Sequence, residues 1–318
     1  MNGMRSSKIA ALLLLIGLTA CSEKEQSPTV DEPVMGNEVI TSSIMTIDHM
    51  MNTGAKNCLI IDLRKQDSYL SRHIPGAVNV WRPQIQDSSY PYGGMRASRE
   101  QLESLLAGLG ANFGDTIVVY DDKGGVDALR LVWMLQYYSY SSTCLLDGGI
   151  NAWNNSGNTL DTMIPEVNEG NFKLSGAVNE SILAQKEDLI AALDSKDKII
   201  VDARSTEEYS GKRQKKGAFR AGHIPGAIMI DFYHNIDYSS MKLKSANGLK
   251  AFYESQGLSP EKEILVYCQS GVRSAQTSFV LRELLKYPNV KNYDGSWIEW
   301  SYYTELPIES DTATSIYE

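Results

Sequence analysis

The chain has 318 residues and a mass of 35.3 kDa, enough for about two domains with their own apolar cores. Hydrophobic residues make up 42% and charged residues 22%, an ordinary globular composition that excludes a wholly disordered or collagen-like chain. A formal net charge of −9 and a total of four cysteines exclude an overall basic nucleic-acid-binding surface and a disulfide scaffold.

The first 21 residues have the pattern of a bacterial targeting segment. Arg5 and Lys8 precede an apolar run over residues 9–18, which is too short to span a bilayer. Leu-Thr-Ala-Cys then ends at Cys21 and resembles the lipobox, where the signal is cut and the cysteine is lipidated. We therefore expect a signal peptide over residues 1–20 and a lipoprotein of the bacterial cell envelope, sorted to the outer membrane and facing the periplasm. The alternative is a secretory signal with an incidental cysteine.

One large unit occurs twice in the chain. Ile-Ile-Asp-Leu-Arg at residues 60–64 matches Ile-Val-Asp-Ala-Arg at 200–204, and His-Ile-Pro-Gly-Ala is identical at 73–77 and 223–227. Further matches, each 147 residues apart, pair residues 118–121 with 265–268 and 147–149 with 294–296. Ordered matches of this kind indicate two copies of one domain.

The apolar pattern of each copy predicts an α/β fold, with a mainly parallel sheet flanked by helices. In the second copy, short runs typical of buried strands fall at residues 198–203, 227–230, 264–267 and 290–293. A helical pattern covers residues 274–285. The predicted organisation is a signal peptide (1–20), a tether (21–37), domain 1 (38–156), a linker (157–179), domain 2 (180–307) and a tail (308–318).

The loop Cys-Gln-Ser-Gly-Val-Arg-Ser, residues 268–274, follows a predicted strand and precedes a predicted helix. Ligands of open α/β sheets bind beyond the carboxyl ends of the strands, where this loop lies. Inward backbone N–H groups, the positive end of the helix and the charge of Arg273 all favour the thiolate of Cys268, which is the nucleophilic form. Gly271 lets the backbone take angles that other residues resist. The alternative for Cys268 is a buried and inert core cysteine.

Together with its neighbours, this loop resembles that of a tandem-domain rhodanese, which is a sulfurtransferase. The resemblance rests on Asp-Ala-Arg, Gly-His-Ile-Pro-Gly-Ala, the cysteine loop and Tyr-Asp-Gly-Ser-Trp-Ile-Glu-Trp, and it covers about residues 40–305. It implies that Cys268 attacks the sulfane sulfur of a donor, becomes a persulfide and passes the sulfur to cyanide or a thiol. It also implies that the loop binds the anionic sulfur through Gln269, Ser270, Gly271, Val272 and Arg273.

The first copy departs from this pattern, because Asp121 stands where the second copy has Cys268. An aspartate cannot form a persulfide, so we expect domain 1 to be catalytically silent, as in tandem rhodaneses generally. Cys58 and Cys144 lie in strand-like runs and are expected to be structural. A disulfide between them stays open, since the sequence does not test its geometry.

A serine–histidine–aspartate relay has been proposed for mercaptopyruvate enzymes of this kind, and its positions correspond to Ser270, His73 and Asp62. His73, however, lies in a motif that is identical in the active and the silent copy. A residue shared by both copies is better explained by folding of the turn.

The donor is expected to be a small anion held by nearby cations, and thiosulfate is favoured. Enzymes that use 3-mercaptopyruvate are the alternative, but an arginine that they carry after Asp-Ala-Arg corresponds to Glu208 here. We therefore expect Arg204, together with Arg220 and Lys216 of a ten-residue insertion, to bind the donor. A structural ion pair for Arg204 and a solvated basic loop for the insertion are the alternatives.

Two other functional classes share features with this sequence. A phosphatase or arsenate reductase needs five residues between the cysteine and the arginine, whereas four separate Cys268 from Arg273. A persulfide carrier without turnover would have the same motifs and stays as an alternative. Neither metal-ligand spacing nor a nucleotide fingerprint occurs, so no cofactor is expected. The expected partners are the sulfur donor, a thiol or cyanide acceptor and a membrane reached through the lipid anchor, with no nucleic acid.

Overall fold

The computed structural model describes residues 43–53 and 58–310. The predicted signal peptide, Cys21 and the tether lie outside the described residues, as does the predicted tail after residue 310. Within the described part of the chain, no helix is long and apolar enough to cross a membrane.

The first half of the described chain is built on a five-stranded parallel sheet with the order β1-β5-β4-β2-β3. Its strands are β1 (Ile44–Met45), β2 (Cys58–Asp62), β3 (Val78–Asn79), β4 (Thr116–Tyr120) and β5 (Thr143–Leu146). Its helices are α1 (Ile47–Thr53), α2 (Gln66–Ser71), α3 (Arg99–Gly108), α4 (Ala128–Tyr137) and α5 (Gly149–Asn155).

The second half repeats this arrangement with the strand order β6-β12-β11-β7-β8. Its strands are β6 (Leu183–Ala184), β7 (Lys198–Asp202), β8 (Ile228–Met229), the antiparallel pair β9 (Ile236–Asp237) and β10 (Lys242–Leu243), β11 (Glu263–Tyr267) and β12 (Val290–Tyr293). Its helices are α6 (Lys186–Ala192), α7 (Thr206–Tyr209), α8 (Ala246–Ser255), α9 (Val272–Phe279) and α10 (Ser296–Tyr302). The same order in both halves confirms the duplication and the parallel α/β fold predicted from the sequence.

The four strands predicted in the second half are confirmed to within two residues at each end. The predicted helix over residues 274–285 begins two residues earlier, as α9, and continues as a π turn over Val280–Leu284. Short apolar runs form strands here because both faces of each sheet are covered. In the first half, for example, Ile60 and Val118 enter one apolar cluster while Ile61 and Val119 enter another on the opposite face.

The two halves meet where α4 packs against α9. Ala275 and Phe279 of α9 lie within the apolar cluster of the first half, so one core continues across the contact. Helix α4 follows β4 and helix α9 follows β11, so the loops before both helices leave the carboxyl ends of equivalent central strands. The contact therefore brings the Cys268 loop and its counterpart around Asp121 to the junction of the two halves.

The structure decides the question of a disulfide between Cys58 and Cys144. Cys58 lies in β2 and Cys144 in β5, and β4 runs between them. Two strand spacings separate their backbones by about 9–10 Å, which exceeds the limit of about 7 Å for a bridged pair. Neither cysteine forms a disulfide, and Cys144 is buried in the core.

Candidate active site

Cys268 follows β11 directly and is 1% exposed. The loop turns into α9 at Gly271, whose backbone φ is +75°. A Cβ at this position would lie 2.6 Å from both Nη1 of Arg130 and the carbonyl oxygen of Asp294, so backbone angle and space both require glycine. Val272 is buried among apolar residues, and only its backbone can face an anion.

The thiol of Cys268 is surrounded by donors and positive charge. The Ser274 hydroxyl donates to Sγ at 3.4 Å, and the backbone N–H groups of Ser274 and Ser270 also point to the sulfur. Burial by itself would raise the pKa of the thiol, but the charge of Arg273 and these hydrogen bonds outweigh it and lower the pKa below the ordinary value. The loop is therefore arranged to hold a negatively charged sulfur.

Ser296 holds the two ends of this loop and was not predicted as a site residue. Its hydroxyl accepts hydrogen bonds from the N–H groups of Cys268 at 3.2 Å and Gly271 at 3.0 Å, and it donates to Tyr293. Its φ of +53° lies in the left-handed region that disfavours a side chain. The equivalent residue in the first half is Gly149 with φ +52°, where a Cβ would lie 2.0 Å from the Asp121 carbonyl oxygen. The sequence offered one signal for this role: the first copy has glycine at this position and the second copy has serine.

Arg273 reaches its position through a two-pronged ion pair with Glu208 of α7. Nη1 and Nη2 of Arg273 donate to the two carboxylate oxygens of Glu208 at 2.7 and 2.8 Å, and Glu208 is 4% exposed. Burial opposes ionisation of Glu208, but Arg273 first, then Lys215 and Arg204, lower its pKa to about 2. A carboxylate thus stands at the position where the mercaptopyruvate resemblance calls for an arginine, and it fixes the guanidinium beside Cys268.

The ten-residue insertion places Lys215, which was not predicted as a site residue, near the charged groups of the site. Partial desolvation and repulsion from Arg273 lower the pKa of Lys215, while attraction to Glu208 and Cys268 acts in the opposite direction. Lys216 contacts the loop through its backbone: its carbonyl oxygen accepts a hydrogen bond from the Gln269 side-chain amide at 3.4 Å. Its side chain is exposed. The charge interactions of Lys215 bring a second lysine of the insertion to the site, and the predicted binding role of the Lys216 ammonium stays a prediction.

Arg204 does not face the donor site, contrary to the prediction. It is 2% exposed, and its guanidinium donates to both carboxylate oxygens of Asp202 and to the carbonyl of Gly222. Arg64 and Asp62 make the same pair in the silent half. A buried pair shared by both halves positions the turn and leaves no charge for an anion.

Arg220 is also used by the fold rather than by the predicted anion. Its guanidinium donates to five backbone carbonyls at and after the end of α10, those of Trp300, Ser301, Tyr303, Thr304 and Leu306. A cation at a helix C-terminus satisfies carbonyls that the helix leaves unpaired.

We therefore expect Arg220→Ala to lower the free energy of unfolding by about 2 to 3 kcal/mol without changing the pKa of the Cys268 thiol. Urea unfolding measures the first quantity, and the pH dependence of iodoacetamide alkylation measures the second. If Arg220→Ala keeps its stability but changes the pKa of the Cys268 thiol, Arg220 acts on the site and this interpretation is wrong.

His73 takes part in the turn and not in a relay. Its Nδ1 and Nε2 lie 2.9 and 3.1 Å from the carbonyl oxygens of Tyr69 and Met163, and its ring stacks on Tyr69. His223 makes the equivalent contacts with Tyr209 in the second half. Each histidine therefore stabilises the equivalent turn in its own half.

In the loop of the first half, the Asp121 side chain accepts the backbone hydrogen bonds that an external anion would need. The Asp121 carboxylate accepts hydrogen bonds from four backbone N–H groups, those of Lys123, Gly125, Asp127 and Ala128. These N–H groups belong to the loop and the first helical residue that correspond to residues 268–275 of the second half. A built-in carboxylate therefore occupies the place that an external anion would need, which agrees with the predicted silence of domain 1.

Asp121→Asn is expected to remove a pH-dependent contribution to stability. Burial and the nearby Asp127 raise the pKa of Asp121 to about 6, against the opposing effect of its N–H donors. The folded state then binds the proton more tightly than the unfolded state, whose pKa is about 3.9, so protonation stabilises the fold below pH 6. Wild-type protein should gain about 1 kcal/mol over the variant between about pH 7 and pH 5. Urea unfolding at both pH values tests this, and a pH-independent difference contradicts it.

The first half also supports the catalytic loop directly. Arg130 of α4 is 2% exposed and donates to the carbonyl of Gly271 at 3.2 Å, to the carbonyl of Gly94 and to the carboxylate of Asp294. Arg96 donates to the other carboxylate oxygen of Asp294 at 2.7 Å. Neither arginine was predicted as a site residue, because their partners in the second half lie more than 140 residues away in the chain.

Comparison with known proteins identifies this architecture. A family model of the rhodanese-like domain matches residues 46–156 and 185–302. A thiosulfate sulfurtransferase of Azotobacter vinelandii is 35% identical over 82% of this chain and 94% of its own length, and the sulfur carrier protein TtuD of Thermus thermophilus is 35% identical over 76% and 86%. The solved structure of an anaerobic ergothioneine biosynthesis enzyme from Chlorobium limicola shares the fold, with a TM-score of 0.73 at 23% identity over 85% of this chain and 70% of that one. The chain belongs to the rhodanese family and contains two rhodanese-like domains.

Proposed function

We propose that this protein is a thiosulfate sulfurtransferase with Cys268 as its nucleophile. The observation that carries the proposal is a single cysteine thiol held among backbone N–H groups, the Ser274 hydroxyl and Arg273, which together lower its pKa. Relatives named thiosulfate sulfurtransferase, at about 35% identity over most of the chain, support the same activity.

The reaction is a double displacement. The Cys268 thiolate attacks the sulfane sulfur of thiosulfate, the S–S bond of thiosulfate breaks, and its electron pair leaves with sulfite. Cyanide or a thiolate then attacks the outer sulfur of the Cys268 persulfide, and the electron pair of that S–S bond returns to Sγ. The N–H groups of Ser270 and Ser274 stabilise the anionic sulfur, while Arg273 and Lys215 attract the dianionic donor.

Intact mass spectrometry tests the proposal. Incubation with thiosulfate should add one sulfur atom, about 32 Da, and cyanide should remove it with release of thiocyanate. Peptide mapping should place the added sulfur on Cys268 and not on Cys58 or Cys144. A protein that gains no sulfur from thiosulfate, or gains it at another cysteine, contradicts the proposal.

A persulfide carrier is the second candidate. The similarity to the sulfur carrier protein TtuD and the 1% exposure of Cys268 both favour it, because a sealed nucleophile exchanges slowly with small molecules. Stoichiometric loading without appreciable thiocyanate turnover would select the carrier. Loading by 3-mercaptopyruvate but not by thiosulfate would instead select that donor, despite the carboxylate of Glu208.

Gly94→Ala is expected to reduce turnover with thiosulfate by about tenfold or more, because the loop geometry is set by close contact. A Cβ at Gly94, where φ is +98°, would lie 2.7 Å from Cβ of Ser270 and would push the catalytic loop away. Gly93→Ala is the matched control, since no atom lies within 4 Å of its Cβ. Steady-state kinetics and thermal unfolding of both variants separate loop displacement from a general loss of stability. If the Gly94→Ala protein folds and keeps the wild-type kcat, close contact between Gly94 and Ser270 is not needed for turnover.

We further propose that Cys21 is lipidated and that the two rhodanese-like domains face the periplasm from the outer membrane. Support comes from the charged, apolar and Leu-Thr-Ala-Cys pattern of residues 1–21. Labelling with a fatty acid should mark the wild-type protein and not Cys21→Ser, and membrane fractionation should find only the wild type with the outer membrane. Equal labelling of both proteins, or wild-type protein in the soluble fraction, contradicts this.

A further inference from the structure

A strongly basic stretch interrupts an otherwise acidic protein. Residues 212–216 read Lys-Arg-Gln-Lys-Lys, whereas the whole chain carries a net charge of −9. All five residues are exposed. Among the residues that the structure describes, ion pairing within 4 Å is recorded in this stretch only for Arg213, at 3.8 Å from Glu207 with both side chains more than 60% exposed. We call residues 212–216 the basic segment.

The basic segment forms one rim of the Cys268 site. Gln269, the residue after the nucleophile, donates its side-chain amide to the Lys216 carbonyl at 3.4 Å. The Lys215 ammonium is close enough to Cys268 for their charges to interact. Just beyond the segment, Phe219 is 50% exposed and packs edge-on against Tyr302, with ring centroids 5.1 Å apart.

The other rim also exposes aromatic rings. Phe232 lies 5.9 Å from the Arg273 guanidinium and packs against Tyr233, with centroids 4.1 Å apart. Tyr233 and Tyr238 contact each other at 5.5 Å and are 48% and 57% exposed. Exposed tyrosine and phenylalanine rings are among the side chains that protein–protein interfaces favour.

A small donor does not account for this surface. A thiosulfate ion that reaches Sγ can contact Arg273 and Lys215, but the outward charges of Lys212 and Arg213 and the exposed aromatic rings extend beyond it. Cys268 itself is 1% exposed, so an acceptor must insert a narrow group to reach it. Excess positive charge around a recessed nucleophile matches a larger, negatively charged partner.

We propose that the basic segment and the pairs Phe219/Tyr302 and Tyr233/Tyr238 form the docking surface for an acidic protein that presents an acceptor thiol on an extended segment. This rests on the proposed function, because the acceptor takes its sulfur from the Cys268 persulfide. The acceptor thiol releases its proton to solvent, and its thiolate attacks the outer sulfur. The persulfide S–S bond breaks, its electron pair returns to Sγ of Cys268, and the acceptor leaves as a persulfide.

The test uses persulfide-loaded full-length protein and three thiols. One is a peptide with a central cysteine flanked by glutamates, the second has lysines in their place, and the third is 2-mercaptoethanol. At low salt, the glutamate peptide should discharge the persulfide about tenfold faster than the lysine peptide, and about 0.5 M sodium chloride should remove the difference. Equal rates for the two peptides, or a faster lysine peptide, overturn the proposal.

Charge reversal then locates the surface. Lys212→Glu combined with Arg213→Glu should slow the glutamate peptide by about tenfold and leave thiosulfate–cyanide turnover within about twofold of the wild type. Lys250→Glu is the matched control, since Lys250 is an exposed lysine on α8, 57% accessible and paired only with Glu254. If the double variant raises the KM for thiosulfate and leaves the peptide rates unchanged, the basic segment serves the donor and the proposal fails.

A binding measurement separates this proposal from the proposed function. A fluorescent glutamate peptide with serine in place of its cysteine is titrated into Cys268→Ser protein, and anisotropy reports binding without any sulfur chemistry. Binding that weakens in the Lys212→Glu, Arg213→Glu background supports the docking surface even if no persulfide can be loaded. Absence of binding at low salt, or binding unaffected by the charge reversal, overturns the docking surface whatever the enzyme's activity.

Discussion

Cys268→Ser is expected to abolish sulfur loading and to lower thiocyanate formation from thiosulfate by about 1000-fold or more. A serine hydroxyl stays protonated at neutral pH and forms no persulfide, so neither half of the double displacement can proceed. Intact mass after incubation with thiosulfate and a steady-state assay with cyanide measure the two effects.

The fold should survive this substitution, which makes the loss of activity interpretable. Serine is close to cysteine in size, and the loop is held independently by Ser296 and by the Ile298 N–H, which donates to the Gln269 carbonyl. Cys144→Ser is the matched control: it should lose stability because Cys144 lies in the core, yet it should load sulfur as the wild type does. Sulfur bound by the Cys268→Ser protein would place the nucleophile elsewhere.

Arg273→Met is expected to raise the pKa of the Cys268 thiol and to lower kcat/KM for thiosulfate by about 100-fold. Once the guanidinium is gone, burial acts on the thiol with less opposition, and the thiolate forms only at higher pH. The pH profile of alkylation and the pH profile of kcat/KM should therefore both move to higher pH. The KM for the dianionic donor should rise as well, since Lys215 remains as its main attracting charge.

The Arg273→Met protein should also lose about 3 to 5 kcal/mol of stability, because Glu208 is left buried without its partner. The double variant Arg273→Met, Glu208→Gln removes that unpaired charge and should recover most of the stability but not the low thiol pKa. The two variants thus separate the structural role of the ion pair from its electrostatic effect on the sulfur. If the double variant regains wild-type kcat/KM, Arg273 acts only through the fold.

The two halves carry different side chains at equivalent loops of the same fold. Asp121 and Cys268 occupy equivalent places at the ends of β4 and β11, and both face backbone N–H groups. In the first half, the carboxylate of Asp121 accepts these hydrogen bonds. In the other half, Ser296 ties down the N–H groups of Cys268 and Gly271, and others remain for a sulfur anion. The first half also supports the Cys268 loop, because Arg130 donates a hydrogen bond to the Gly271 carbonyl and Gly94 lies against Ser270.

Much of the fold could be predicted because strands, helices and tight loops depend on residues that are close together in the sequence. The duplication, the central strands and the loop at Cys268 each leave a short pattern of apolar, glycine and charged residues that reports burial and backbone geometry directly. The structure and the comparisons confirm the α/β fold and the family. The assignment of Cys268 as the nucleophile stays a prediction until sulfur loading is measured.

The repeated α/β units and the loop that carries Cys268 could be predicted from the amino-acid sequence alone. Packing in three dimensions determines which side chains lie around that thiol. Arg204 pairs with Asp202, and Arg220 binds backbone carbonyls at the end of α10. Glu208 holds Arg273, Lys215 adds positive charge, and Ser296 holds the ends of the Cys268 loop. The two kinds of feature differ in how far apart in the sequence the interacting residues lie. Strand and helix patterns report burial a few residues away, but a long charged side chain goes to whichever partner packing brings near, and Arg130 meets Asp294 across 164 residues of chain.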